Sequence, residues 1–200
     1  IMAAGIAVRQ IAPLIESKDR DPAVIVVDES SRHVIPILSG HLGGANALAK
    51  ILAAKLQAEA VITTATDLCG FTAPDEYARR LGWKLHPLSK LSEVNSRLLS
   101  TGKLKVYSEL PLPQGHPLRT DPCYTFTSVA GEADIRIGFT TDDDRYLYFL
   151  PPVCSVGLGC RKGVSAGEVL EAIHAAFAVL GYALKTIKGL YSISLKVAER

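Results

Sequence analysis

The sequence is poor in the features that staple a chain, anchor it in a bilayer or bind it to a polyelectrolyte. Its four cysteines, Cys69, Cys123, Cys154 and Cys160, are scattered, and no two form a CxxC pair. A disulfide-built secreted domain is denser in cysteine, and a zinc site wants paired short spacings. The thiols therefore read as reduced and the protein as cytoplasmic. No apolar run reaches the ~18 residues that a membrane span needs. The uncharged, largely apolar stretch Tyr146–Cys160 is broken by Pro151-Pro152. No charged lead followed by an apolar run and a cleavage site opens the chain. One sign of charge does not dominate either: 22 Lys/Arg stand against 20 Asp/Glu, for a net charge of +2. That balance argues against a nucleic-acid groove. With 48% apolar residues, it also excludes a disordered chain. Only residues 153–200 are mildly basic, with 6 Lys/Arg against 3 Asp/Glu, which leaves room for a local anion site.

What the chain does have is alternating helical and strand periodicity, the pattern of layered α/β structure. Ile6, Val8, Ile11, Leu14 and Ile15 suit a short helix with Pro13 at its boundary. Ala23–Val27 is a β-branched run that reads as a strand buried on both faces. After a polar turn at 28–32, Val34–Leu38 returns as its partner. Leu48, Leu52 and Leu56 then mark one face of a helix, and Ala60–Thr64 reads as the next strand. Pro74 suits a first helical turn before 75–81, and a further helix at Ser92–Leu99 ends at Gly102. Four prolines in 110–123 indicate a connector. Ala133–Phe139 and Arg145–Leu150 read as strands around a solvated Asp142-Asp143-Asp144 hairpin turn. Past Pro151-Pro152 come a short buried strand at Val153–Val156, a glycine-rich loop, a helix from Ser165 to Leu180 and a strand at Leu190–Leu195. Ser165 with Glu168 forms a capping box. The expected fold is α/β: two layered α/β/α domains, 1–102 and 153–200, joined by a Pro-rich, partly β middle segment, 103–152. The apolar opening at Ile1 and the stop just after a strand suggest that both ends continue beyond this chain.

One device occurs twice: a strand, then glycines, then a helix N-terminus. Such ends expose unpaired N–H groups and a partial positive charge, so they suit carboxylates and phosphates. Ser39–Asn46 and Gly157–Gly163 both fit, the second with Arg161 and Lys162 inside it. The simpler reading is that the glycines only serve tight turns. Gly157-x-Gly159-x-x-x-Gly163 has one residue too many for a dinucleotide fingerprint, and no GxxxxGK[S/T] occurs, so a nucleotide-dependent enzyme fits poorly. Three threonines and a carboxylate, Thr63-Thr64-Ala65-Thr66-Asp67, follow a strand, where α/β sheets collect ligands. A capping turn is the alternative. His41, among glycines before a helix, reads as exposed and able to act as acid or base. Cys160 beside Arg161 and Lys162 could have a lowered pKa, but no His and acid lie near it in the sequence to make it a nucleophile.

Met2–Arg9, Asp21–Asp28, Leu38–Asn46 and Ile62–Asp67 together resemble, in order, the amino-terminal domain of the CbiG family of anaerobic cobalamin biosynthesis. Val156–Ser165 and Ile193–Lys196 resemble its carboxy-terminal domain, shared with CobE proteins of the aerobic pathway. The likeness departs at Ala198, where the family pattern carries an aspartate.

The resemblance implies cobalt-precorrin-5A hydrolysis. Water opens the δ-lactone that joins a ring-A acetate to the macrocycle, and the meso carbon with its methyl leaves as acetaldehyde. The substrate brings its own cobalt, so no metal site and no cofactor are expected in the protein. A polycarboxylate of this kind suits glycine-lined helix ends and a few basic side chains. Within that reading, His41 is the first candidate to activate water and Asp67 the second. The hydroxyls of Thr64 and Thr66 and the N–H groups of Gly43 and Gly44 are candidates to stabilise the oxyanion. Arg9, Arg161, Lys162 and Lys196, with Ser39, Gly40, Asn46, Gly157 and Gly159, are candidates to hold the substrate. The expected partners are the cobalt-precorrin, other enzymes of the corrinoid pathway and a second copy in a homodimer, with no nucleic acid and no membrane. The alternative function is a non-catalytic carrier of corrinoid intermediates.

Overall fold

The structure is a computed structural model that describes residues 2–161 and 163–193. The chain is mixed α/β with three sheets, and it divides into two units. The first runs to Arg80 and takes in Asn95–Gly102; the second comprises Leu81–Val94 and the chain from Lys103.

In the first unit, α1 (Ala4–Ile11) precedes β1 (Val24–Val27) and β2 (His33–Leu38). Then follow α2 (Ala45–Leu56), the two-residue β3 (Glu59–Ala60), the single turn α3 (Ala65–Leu68) and α4 (Pro74–Leu81). The sheet order is β1-β2-β3, with β1 antiparallel and β3 parallel to β2. Three expectations need correction here. β1 is an edge strand with only Val26 buried, not a strand enclosed on both faces. β3 stops at Ala60 instead of running to Thr64: its pairing with β2 ends at Val34, two residues before Pro36, which has no N–H to extend the ladder on that side. Finally, α2 turns its alanines to the sheet. Ala45, Ala49 and Ala53 are buried, while Leu48 and Leu56 are largely exposed. Small side chains let the helix lie close to Val34 and the half-buried Ile25, Val27 and Ile62.

The second unit holds β4 (Lys84–His86), the start of α5 (Leu91–Thr101), β5 (Leu104–Ser108), the short α6 (Pro117–Thr120) and β6 (Tyr124–Phe126). β7 (Ile135–Ile137) and β8 (Leu147–Leu150) complete a five-stranded sheet ordered β4-β8-β7-β5-β6. Leu104, Val106, Ile135, Ile137, Leu147, Phe149 and Leu150 are all fully buried. Residues 103–152 are therefore more than a linker: they supply four of the five strands of this sheet and its buried side chains. β7 and β8 pair in parallel, so the Asp142–Asp144 segment is a crossover and not a hairpin turn. Beyond them, β9 (Cys154–Gly157) and β10 (Ile187–Tyr191) pair in parallel, with α7 (Ala166–Leu180) between them in sequence. β9 alternates half-buried and exposed residues and is not the buried strand expected. The last expected strand falls partly on 194–200, outside the described residues. Among the described residues, no helix is long and apolar enough to cross a membrane.

Candidate functional site

β2 and β3 run in parallel, so the loops that leave their carboxyl ends share one edge of the first sheet. Ser39–Asn46 and Thr63–Asp67 meet there, and the first turn of α4 brings Asp75 to the same place. A cavity of about 300 Å³ opens at this edge. Lys18, Asp21, Ser39, His41, Asn46, Thr64 and Asp75 line it, beside the apolar Pro36, Ile37, Leu38 and Leu42.

His41 sits at the centre of a charged chain. Its Nε2 lies 3.0 Å from Asp67 Oδ2 and its Nδ1 lies 3.2 Å from Asp75 Oδ2. All three side chains are at least nine-tenths buried, exposing 8%, 9% and 8%. Asp67 is saturated: Oδ1 accepts from Lys50 Nζ at 2.7 Å, and Oδ2 also accepts from Asn46 Nδ2 at 2.9 Å and from the Thr64 hydroxyl at 3.0 Å. Asn46 Nδ2 donates to Thr64 Oγ1 as well, at 2.7 Å. The buried Thr66 places Oγ1 3.5 Å from His41 Nε2. Gly40 is required by this packing, because a Cβ there would stand 2.8 Å from Asn46 Oδ1.

The electrostatics follow from the two carboxylates. Burial pushes the His41 ring towards the neutral form. The hydrogen bond and charge of Asp75, then those of Asp67, overrule it and raise the pKa to about 9. For Asp67, burial favours the protonated form, but Lys50, His41, Asn46 and Thr64 prevail and lower it to about 2. At neutral pH the ring is an imidazolium between carboxylates. Both ring nitrogens already face carboxylate oxygens, an arrangement that does not favour His41 as a free imidazole base.

Other expected roles also shift. The Gly44 N–H donates to the His41 carbonyl, and the Thr64 hydroxyl proton goes to Asp67, so neither is available to an oxyanion as the loop stands. The first amides of α2 do not wait for an anion either, since Ala45 N–H bonds Ser39 O and Asn46 N–H bonds Gly40 O. Ser39 Oγ donates to the Asp21 carbonyl. Gly43 is exposed. Arg9 lies in the last turn of α1 and is not among the residues lining the cavity.

The second glycine loop belongs to the other unit. Gly157, Gly159 and Arg161 are exposed, while Lys162 and Lys196 lie outside the described residues. The helix that follows is closed by its own carboxylate: Glu168 accepts from the Ser165 N–H and hydroxyl, both at 2.8 Å, and Ser165 Oγ caps the Glu168 N–H. A carboxylate already sits where the anion was expected.

Sequence reasoning missed Asp75, Lys18 and Asp21. Asp75 stood two residues into a helix, where acidic residues are ordinary, and Lys18 sat in an unmarked polar segment. His41, Asp67 and Glu76 each offer a ligand atom within 4.8 Å of the others. Each already has a protein partner, Glu76 pairing with Arg80.

Comparison with known proteins gives this geometry a family. Residues 1–67 match the profile "Cobalamin synthesis G N-terminal", 72–146 "Cobalamin biosynthesis central region" and 154–200 "Cobalamin synthesis G C-terminus". A cobalt-precorrin-5A hydrolase of Priestia megaterium is 31% identical over 215 residues, which take in 100% of this chain and 58% of that protein. One of Salmonella typhimurium is 42% identical over 145 residues, 72% of this chain and 37% of the relative. The chain thus spans about six-tenths or less of the length of the curated relatives it matches. A crystal structure of a cobalamin biosynthesis protein G homolog from Sulfolobus solfataricus is 23% identical, with a TM-score of 0.44, covering 98% of this chain and 58% of that one. Matched in order along nearly its whole length by the amino-terminal, central and carboxy-terminal profiles, this chain belongs to the cobalamin synthesis G family.

Proposed function

We propose that the protein is a cobalt-precorrin-5A hydrolase and that the His41 cavity is where the lactone is opened. The observation that carries this reading is the buried His41, held between Asp67 and Asp75 on a polar cavity, in a chain whose curated relatives carry that activity in their names. A cavity of about 300 Å³ is too small for a tetrapyrrole and stands at the low end of ligand pockets, roughly 300–1,000 Å³. It suits one edge of the macrocycle, with the lactone inserted and the rest lying outside. Lys18 supplies a cation on the cavity wall for a peripheral carboxylate.

In the reaction, water adds to the lactone carbonyl and the ring oxygen leaves as an alcohol. That alcohol then gives acetaldehyde as the carbon–carbon bond to the macrocycle breaks and the macrocycle takes up a proton. Cobalt arrives inside the substrate, and this reading asks for no further metal or organic cofactor. Incubating the purified protein with cobalt-precorrin-5A and trapping acetaldehyde tests it. One equivalent of acetaldehyde per corrinoid is expected; tight binding with no acetaldehyde would turn the reading towards a carrier of corrinoid intermediates.

A further inference from the structure

We propose that Asp75 is the residue that takes the proton of the lactone-attacking water, through Oδ1; this rests on the hydrolase reading above. The argument is one of vacant lone pairs. A general base must have an unoccupied basic atom within reach of the reacting water, and His41 and Asp67 have none. Both nitrogens of His41 face carboxylates. Asp67 Oδ1 holds Lys50, and Oδ2 holds His41, Asn46 and Thr64. Asp21 keeps Oδ2 open while Oδ1 accepts from the Glu16 N–H, but among the described residues it has no hydrogen bond to His41 to orient it. Asp75 differs. Its Oδ2 takes His41 Nδ1, while Oδ1 is buried and accepts no hydrogen bond from the described residues. The side chain exposes only 8%, yet the residue lines the cavity.

A buried carboxylate oxygen without a donor is unfavourable, and native structures rarely leave one. It is compensated when a ligand O–H fills it. Oδ1 is closed to solvent as the side chain stands, so in this proposal the side chain turns that atom towards the cavity that Asp75 lines, and a water donating to it there keeps a lone pair for the lactone carbonyl carbon. As its oxygen bonds that carbon, one proton passes to Oδ1. When the ring C–O bond breaks, the same proton passes to the departing alkoxide, and Asp75 is again a carboxylate. The products are a carboxylic acid and an alcohol, so the atoms balance. His41 is then a positioning residue: its Nδ1–H pins Oδ2 and turns Oδ1 to the water, while Nε2–H ties the ring to Asp67.

The test compares single-turnover acetaldehyde release by wild type, Asp75→Asn and Asp75→Ala, with binding followed by the corrinoid absorption spectrum. Asp75→Asn is expected to bind substrate as the wild type does and to release acetaldehyde about 10²–10⁴-fold more slowly. Formate, a carboxylate small enough for the vacated space, is expected to restore part of the rate to Asp75→Ala and none to His41→Ala. Asp75→Asn within about threefold of the wild-type rate overturns the assignment, as does a folded Asp75→Ala indifferent to formate. If neither variant folds by circular dichroism, the wild type decides. Loss of activity on treatment with a water-soluble carbodiimide must then track modification of Asp75 by peptide mapping, and activity that survives its modification overturns the proposal. A wild type that releases no acetaldehyde removes the hydrolase reading and this one with it; an active wild type with an active Asp75→Asn removes this one alone.

Discussion

The two glycine loops, alike on paper, end in opposite electrostatic situations. At Ser39–Asn46 the loop is folded onto neighbours from three directions. Asn46 reaches Thr64 and Asp67, and His41 bridges Asp67 to Asp75. At Gly157–Gly163 the glycines meet nothing: a Cβ on Gly157, Gly159 or Gly163 would find open space. The helix beyond is satisfied by its own Ser165 and Glu168. A glycine-rich turn before a helix is thus a permissive feature. A site arises only where further elements bring polar groups to it.

The sharpest way to break that contrast is His41→Ala against Arg161→Ala. The first is expected to reduce the single-turnover rate by about 10²-fold or more, since it releases the carboxylate that handles the proton. The second is expected to change only substrate affinity, by less than about tenfold. Equal kinetic losses would mean that the second loop takes part in the chemistry.

Next in size is stability. Gly40→Val must displace the doubly hydrogen-bonded Asn46 and is expected to cost about 1–3 kcal/mol in denaturant unfolding. Gly159→Val has open space and is expected to stay within about 0.5 kcal/mol of wild type. Ser165→Ala lies between the two, removing a capping box worth about 0.5–2 kcal/mol.

A smaller effect is expected with pH. His41 is raised from 6.5 to about 9 on folding, so its stabilising contribution is complete below about 6.5 and disappears as pH climbs through about 9. Asp67 works the other way: lowered from 3.8 to about 2, it stabilises above 3.8 and loses that effect as pH falls towards 2. Thermal midpoints should therefore fall between pH 7 and 9.5 in the wild type, and less in His41→Gln. A wild type with no greater alkaline loss than this variant would place the ring outside the carboxylate clamp.

Much of this was legible in the residues because it is local. The β2–loop–α2 order, the Ser165 capping box and the helix start at Pro74 each depend on chemistry within a few positions. His41 and Asp67 were legible as candidates because polar groups cluster after a strand. Their roles were not, since these depend on partners 26 and 34 positions away along the chain. Two of the strands of the five-stranded sheet were legible in the middle segment but the sheet itself was not, for a related reason: its strands are short, and β4 joins β8 from more than sixty residues away.

By itself, the sequence determined the α/β character, the places where helices begin and end, and the motifs that carry the family likeness. These follow from periodicity, caps and turns, which act through neighbouring residues. Only the tertiary structure decided which atoms were already spent. The parallel run of β2 and β3 brought the two loops to one edge, α4 added Asp75, and the resulting hydrogen bonds raised the His41 pKa and saturated Asp67. Among the described residues, one fully buried carboxylate oxygen was left without a donor, on Asp75, which no local pattern marked. Hydrogen-bond satisfaction is a property of the completed three-dimensional network, and no local pattern records it.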